Sequence, residues 1–91
     1  MKKIYLVSYD LSSEGTPDYD GVGSALESCG VVNHFQRSVW LVSSEKSAQE
    51  IRDAVCPVLR PTDTVFVAAI IGAWSGWNTR LSAWINENRA S

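Results

Sequence analysis

Two apolar, β-branched runs near the ends of the chain constrain its fold more than any other feature. Lys3–Asp10 is almost unbroken in aliphatic and aromatic residues, and residues 64–71 form a second run of the same kind. Such runs, without clean alternation, are typical of central strands that are covered on at least one face. Because 91 residues rarely divide into two independent cores, we expect a single domain over residues 1–91.

The segment after the first run predicts a helix and then a pair of strands. Residues 18–28 repeat apolar side chains at spacings of three and four, and Gly30 is a natural helix end. Residues 31–35 and 38–42 suit two antiparallel strands with a turn near residues 36–37. A single bent strand with a bulge fits this stretch almost as well.

Two more helices are predicted further along the chain. Ser47 and Glu50 match a capping box, in which each side chain accepts a hydrogen bond from the other residue's backbone amide. This motif opens a second helix, which Pro61 helps to end. A short amphipathic helix begins at Asn78 or Thr79 and carries the C-terminal apolar residues.

The resulting order of elements, βαββαβ followed by a helix, predicts an α+β fold of the ferredoxin-like kind. This fold has a four-stranded antiparallel sheet with two helices on one face. Right-handed crossovers place the first and third strands in the middle of the sheet. We expect a core of residues 3–71. The Trp-rich loop and C-terminal helix of residues 72–91 are then expected to cover the other sheet face or a partner.

Charge and composition limit the classes of function and location. Eight Lys and Arg against ten Asp and Glu give a net charge of −2. A protein that binds nucleic acid by bulk charge is basic, so any such binding must depend on a local patch, a metal ion or a dimer surface. No membrane span or signal peptide is recognisable, which predicts a cytoplasmic protein with no membrane partner. Cys29 and Cys56 lie in apolar helical patterns and are predicted to be buried free thiols.

Two short motifs go beyond the fold class. Ser8, Tyr9 and Asp10 end the first run, and residues 35–40 read FQRSVW. This combination resembles the second CRISPR-associated protein family, small ferredoxin-like domains with a Tyr-Asp pair ending the first strand and a Gln-x-Ser-Val-aromatic segment. It resembles the SinR-family proteins of bacteria and phages even more closely, over about residues 3–71. The resemblance implies a homodimer associated with nucleic acid or a nucleotide and a role in phage defence or counter-defence.

The same resemblance gives Asp10 a candidate catalytic role. In nuclease members the matching aspartate binds a divalent ion near its symmetry mate, which here implies Mg²⁺ or Mn²⁺ and a metal-activated water. The alternative is that Asp10 only ends the strand. Family members often carry basic residues after the aspartate, whereas residues 11–20 contain none and three acids, Glu14, Asp18 and Asp20. A non-catalytic binding protein is therefore favoured over a metal-dependent endonuclease, and a toxin-system or protein-interaction partner is the third alternative.

Candidate ligand contacts also lie around the predicted hairpin. His34, the only histidine, could act as a general base, but no nucleophile accompanies it, so a structural or solvent-facing role is favoured. Arg37 could make a two-pronged contact with phosphate or simply be solvated. Tyr9, Gln36 and Ser38 complete the ligand-binding candidates from the two motifs.

Four tryptophans are unusual in so short a chain. Trp40 falls inside a strand and is expected in the core. Trp74 and Trp77, three residues apart in a loop, could stack on bases. They could equally seat the C-terminal helix on the sheet, and Trp84 on the apolar side of that helix favours this packing role.

Overall fold

The order of secondary structure confirms the prediction. A computed structural model describes the whole chain except Glu14, Asn78 and residues 89–91, so the predicted helix start at Asn78 and the acidic Glu14 lie outside the described residues. The elements are β1 (Lys3–Asp10), α1 (Tyr19–Glu27), β2 (Val31–Gln36), β3 (Val39–Ser44), α2 (Ala48–Val55), a 3-10 turn (Cys56–Val58), β4 (Thr64–Ala69) and α3 (Leu81–Asn88).

The four strands form one antiparallel sheet in the order β2-β3-β1-β4. The first and third strands are therefore central, as the crossover rule predicts for a ferredoxin-like α+β fold. β1 pairs with β3 and β4 in continuous register, which places Leu6 opposite both Leu41 and Ala68. Because β1 pairs with a neighbour on each side, its two ends mark the two ends of the sheet.

The strand boundaries differ from the sequence prediction at the hairpin. The chain turns at residues 37 and 38 rather than at residues 36–37, so β2 extends through Gln36 and β3 begins at Val39. A register shift lies between Asn33 and Gln36, which identifies a bulge near the hairpin end of β2. Both a strand pair and a bulge are thus present, whereas sequence reasoning treated them as alternatives.

The two-helix face of the sheet is the face that α1 and α2 cover. It carries alternate residues of the central strands, and Trp40 is buried there as predicted. Gly23 of α1 leaves room for this ring, since a Cβ at Gly23 would lie 3.4 Å from it. The buried residues of this layer are Tyr5, Val7, Tyr9, Leu11, Val22, Leu26, Cys29, Trp40, Val42, Ile51 and Val55.

Local sequence signals set the ends of these helices. Asp18 precedes α1 and accepts a hydrogen bond from the Gly21 amide at 2.9 Å. The predicted capping box of α2 is present: Ser47 Oγ accepts from the Glu50 amide at 3.1 Å, and the Glu50 carboxylate accepts from the Ser47 amide at 2.9 Å. These hydrogen bonds lower the pKa of Glu50, the backbone amide of Ser47 having the largest effect.

The prediction that both cysteines are buried is wrong for one of them. Cys29 is buried, whereas Cys56 is exposed, and neither forms a disulfide. α2 ends at Val55, and Cys56 begins a 3-10 turn with fewer residues per turn than an α-helix. The apolar periodicity that placed Cys56 inside therefore stops one residue before it.

The groove face is the opposite face of the sheet, and α3 covers part of it. Ile4 and Leu41 of the central strands pack with Ile85 of α3, so the terminal segment covers a sheet face as predicted. Ser8 and Phe66 are paired on the same face, and Phe66 remains 67% exposed. α3 therefore leaves the other half of this face open. Within the described residues, no helix is long and apolar enough to cross a bilayer.

Candidate functional site

The most enclosed feature of the groove face is a cavity of about 350 Å³ between the sheet and the C-terminal segment. We call it the sheet–α3 groove. Its floor is apolar, and hydroxyl and amide groups line its sides, but no described lining residue is charged. The lining residues are Leu6, Ser8, Phe35, Gln36, Val39, Leu41, Ile70, Trp74, Ser75, Gly76, Thr79, Leu81, Ser82 and Ile85.

The groove brings together two candidate residues that are far apart in the sequence. Gln36 comes from the hairpin end of β2 and Trp74 from the loop after β4. The bulge near Gln36 accounts for its position beside Phe35 in the lining, because a bulge interrupts the strict alternation of side chains. Gln36 is exposed, and its side-chain amide makes no hydrogen bond with a described residue, so this group is available to a ligand.

Three other candidate residues meet on the opposite side of the sheet. Tyr9, His34 and Arg37 line a wider, shallower cleft between α1 and the β2–β3 hairpin, which we call the hairpin cleft. Trp40 lies at its base and donates a hydrogen bond from Nε1 to the Tyr9 hydroxyl at 3.0 Å. The Tyr9 hydroxyl in turn donates to the Arg37 carbonyl at 3.4 Å. These contacts tie the hairpin to β1.

His34 completes this hairpin packing. Its ring stacks on Trp40 with centroids 4.1 Å apart and planes 10° apart. Its Nε2 lies 3.0 Å from the Arg37 carbonyl oxygen, and because a carbonyl only accepts, Nε2 carries a hydrogen. The ring is thus held by a backbone carbonyl at one edge and by Trp40 at its face. This geometry favours the structural role of His34 over general-base catalysis.

Asp10 stands apart from both cavities. It is exposed at the end of β1, opposite Thr64 of β4, and strand alternation places it on the groove face with Ser8. The described residues contain no group of three or more His, Cys, Asp or Glu side chains arranged to hold a metal ion. Among the described residues, Asp10 is therefore not part of a three-residue metal cluster within one subunit.

The remaining two candidates, Ser38 and Trp77, lie outside the sheet–α3 groove. The Ser38 carbonyl accepts a hydrogen bond from the Tyr9 amide at 3.1 Å, which holds the hairpin turn against β1. Trp77 is 87% exposed, whereas Trp74 is half-buried and packs with the cluster around Ile85. The two tryptophans therefore differ in exposure, and Trp74 lines the sheet–α3 groove.

A buried ion pair fastens the loop that follows Asp10. Asp63, whose side chain is 1% exposed, accepts hydrogen bonds from the Ser12 amide at 2.7 Å and the Arg60 amide at 2.8 Å. Arg60 also donates from Nε to Asp63 at 3.1 Å and from Nη2 to the Ser12 carbonyl. The Arg60 side chain is the largest cause that lowers the pKa of Asp63 to about 2. This clamp joins the β1–α1 and α2–β4 loops.

Sequence reasoning missed most of the groove. Ser8 and Phe35 are members of the two motifs but not candidate site residues, and Thr79 and Ser82 belong to neither motif, although all four line the cavity. Alternation along β1 carried a usable signal, since its two faces present different sets of residues. No comparable signal marks the C-terminal wall, because its position depends on how α3 docks.

Comparison with known proteins bears on the fold. No protein-family model and no curated protein matches the chain. The structure is similar to the crystal structure of a hypothetical protein, TT1823, from Thermus thermophilus, with a TM-score of 0.68 and 20% sequence identity. The similarity covers 87% of this chain and 94% of the Thermus chain. At this identity it establishes a shared fold alone, because one fold supports many functions.

Proposed function

We propose that this chain is a homodimeric protein that binds single-stranded nucleic acid or a nucleotide without catalysing a reaction on it. The proposal agrees with the resemblance to the SinR and second CRISPR-associated families. The observation that carries it is the sheet–α3 groove, an uncharged cavity with the Gln36 amide and the Trp74 indole in its lining.

The chemistry of this lining suits a nucleobase. A base has flat apolar faces and polar edges, and stacking on an aromatic side chain contributes about 1–3 kcal/mol per base. A glutamine amide can donate to and accept from such an edge at the same time. The cavity volume of about 350 Å³ lies within the range of small-molecule sites, roughly 300–1,000 Å³.

The distribution of charge favours recognition of the base over recognition of phosphate. The chain carries a net charge of −2, and no described lining residue of the groove is charged. Affinity that comes from neutralising phosphates falls steeply as salt is added, whereas stacking does not. We therefore expect binding that prefers single strands and depends weakly on ionic strength.

The open half of the groove face supports the dimer. Phe66 is 67% exposed there, beside Ser8 and on the same face as Asp10. Homodimers form most often through one self-complementary patch that meets its own copy about a two-fold axis. Ser8 also lines the sheet–α3 groove, so a contact through this half would lie along one edge of the groove.

Direct binding measurements test the proposal. We would titrate the protein with fluorescein-labelled short oligo(A) and oligo(U) single strands, matched duplexes and AMP, at about 50 and 200 mM salt. Gln36→Ala should weaken single-strand binding roughly 2- to 10-fold and Trp74→Leu roughly 5- to 150-fold. Trp77→Ala is the matched control and should bind like wild type. Binding that Gln36→Ala and Trp74→Leu leave intact would remove the groove from the proposal.

A second candidate function, a Mg²⁺- or Mn²⁺-dependent endonuclease, is supported by the exposure of Asp10 on the open half of the groove face. A dimer through that half would bring two Asp10 carboxylates to one axis, and divalent ions are commonly held by such pairs. Incubation of the same oligonucleotides with Mg²⁺, Mn²⁺ or chelator, using wild type and Asp10→Asn, separates the two functions. Metal-dependent cleavage lost in Asp10→Asn supports the nuclease. If the protein neither binds nor cleaves these oligonucleotides, the protein-interaction alternative is favoured.

A further inference from the structure

The C-terminal segment builds one wall of the sheet–α3 groove. The opposite wall belongs to the sheet, so the cavity has its full lining only while α3 is docked on the groove face. The lining residues that the segment supplies are Trp74, Ser75, Gly76, Thr79, Leu81, Ser82 and Ile85.

α3 is attached more lightly than the other two helices. Ile85 is its one buried residue among those described, whereas α1 and α2 each bury at least two. α3 has eight residues, and isolated helices shorter than about 12–15 residues are marginal in water. Elements with few buried apolar contacts are the first to open in native proteins.

The connection to α3 permits such opening. Between β4 and α3 the described residues form no helix or strand, and Gly72 has a φ of +93°, which glycine adopts more readily than any other residue. Nothing lies within 4 Å of the position a Gly72 Cβ would occupy, so the chain is not packed against other elements there. The segment can therefore move without breaking the sheet.

A hydrogen bond at the far end helps to hold the docked helix. Ser43 of β3, which is 1% exposed, donates from Oγ to the Asn88 carbonyl at 2.6 Å. Trp84 adds apolar packing against the cluster of Ile4, Leu41 and Ile85. Neither Ser43 nor Trp84 lines the groove, so both can influence a ligand only through the position of α3.

We propose that α3 is a lid, and that its docking and the binding of the ligand stabilise each other, with Ser43 and Trp84 as positioning residues. The inference rests on the proposed function of the groove. A ligand that contacts both walls binds the docked state better than the open one, so it shifts the population toward docking. Linkage makes the effect reciprocal, so a change that loosens the docking of α3 must weaken the binding of the ligand.

Hydrogen exchange of the α3 amides, measured with and without saturating oligo(A), tests this coupling. Ser43→Ala should raise exchange of the α3 amides roughly 5-fold while leaving the β1 amides unchanged, because it removes one hydrogen bond from the docked state. Oligo(A) should slow α3 exchange in wild type and in this variant. The double variant Ser43→Ala/Trp84→Ala should bind oligo(A) at least roughly 10-fold more weakly, because the competent state becomes a minor one. Asn86→Ala, an exposed α3 position outside the groove, is the control and should behave like wild type.

The outcomes separate the lid from the proposed function. Oligo(A) binding that leaves α3 exchange unchanged, or that the double variant does not weaken, overturns the lid while the proposed function stands. If the wild-type protein binds none of oligo(A), oligo(U) and AMP, both the lid and the proposed function are overturned. Protection of the β1 and α1 amides shows whether the double variant is folded. If it is not, the exchange of Ser43→Ala with and without oligo(A) decides the question.

Discussion

The two faces of the sheet are built from the same four strands yet differ in how completely they are covered. On the two-helix face, Leu26, Ile51 and Val55 from the helices are fully buried against the sheet. On the groove face, α3 buries Ile85 and leaves Phe66 67% exposed. The first arrangement supplies the apolar burial that stabilises a small domain. The second leaves accessible surface, which is where binding can occur.

The polar groups of the two faces show the same contrast. On the two-helix face, Trp40 Nε1 donates a hydrogen bond to the Tyr9 hydroxyl, and this hydroxyl donates one to the Arg37 carbonyl. No described buried side-chain nitrogen or oxygen lacks a hydrogen-bond partner. In the groove, by contrast, the exposed Gln36 amide has no described partner. A network satisfied internally fixes the structure, and an unsatisfied exposed amide is available to a ligand.

The largest expected effect tests whether the two-helix face carries most of the stability. Leu26→Ala should lower the free energy of unfolding by about 2–5 kcal/mol, because it leaves a cavity in a fully buried site. Leu81→Ala, at a half-buried position of α3, is the matched substitution and should cost less. Urea denaturation measures both. Equal losses would contradict the unequal roles of the two faces.

The clamp of Arg60 and Asp63, which joins the β1–α1 and α2–β4 loops, should make the stability depend on pH. The pKa of Asp63 is about 2 in the folded protein against an ordinary value of 3.8, so the clamp stabilises the fold fully above about pH 4. That contribution is lost as the pH falls toward 2. Asp63→Asn should lower the Tm by several degrees at neutral pH and should flatten the Tm profile between about pH 4 and 2. A wild-type profile as flat as that of Asp63→Asn would contradict the assignment.

A smaller effect is expected at the start of α2. Ser47→Ala removes the cap and should cost about 1 kcal/mol, whereas Ser47→Asp, which keeps a capping oxygen, should cost less. The pKa of Glu50, lowered in wild type mainly by the Ser47 amide, should rise toward 4.5 as the helix start loosens. Denaturation gives the first quantity and NMR titration the second. An unchanged stability in Ser47→Ala would show that packing alone determines this helix end.

The smallest effect on stability is expected on the open half of the groove face. Phe66→Ser should change the free energy of unfolding by no more than about 0.5 kcal/mol, because the ring is already exposed. It should nevertheless weaken self-association, as measured by analytical ultracentrifugation. Tyr19→Ser, an exposed aromatic of α1, is the control and should leave association unchanged. A Phe66→Ser protein that associates like wild type would remove this half from the dimer interface.

The candidate site was predictable only in part. Gln36 and Trp74 were singled out from a motif and from tryptophan content, and both line the groove. Tyr9 and Arg37 came from the two motifs and His34 from being the only histidine, but all three meet at the hairpin cleft on the other side of the sheet. The reason is physical: alternation puts Ser8 and Tyr9 on opposite faces, and the bulge between Asn33 and Gln36 separates His34 from Gln36.

Local sequence by itself determined the elements and their order. The apolar run of β1 and the capping box at Ser47 and Glu50 act over a few residues, so they can be recognised without the fold. Where α3 lies was decided by the tertiary structure, since Ser43 and Asn88 are joined across 45 positions of sequence. A short helix has no strong preference of its own and takes the place that buries its apolar side. That placement turned an open sheet face into a groove.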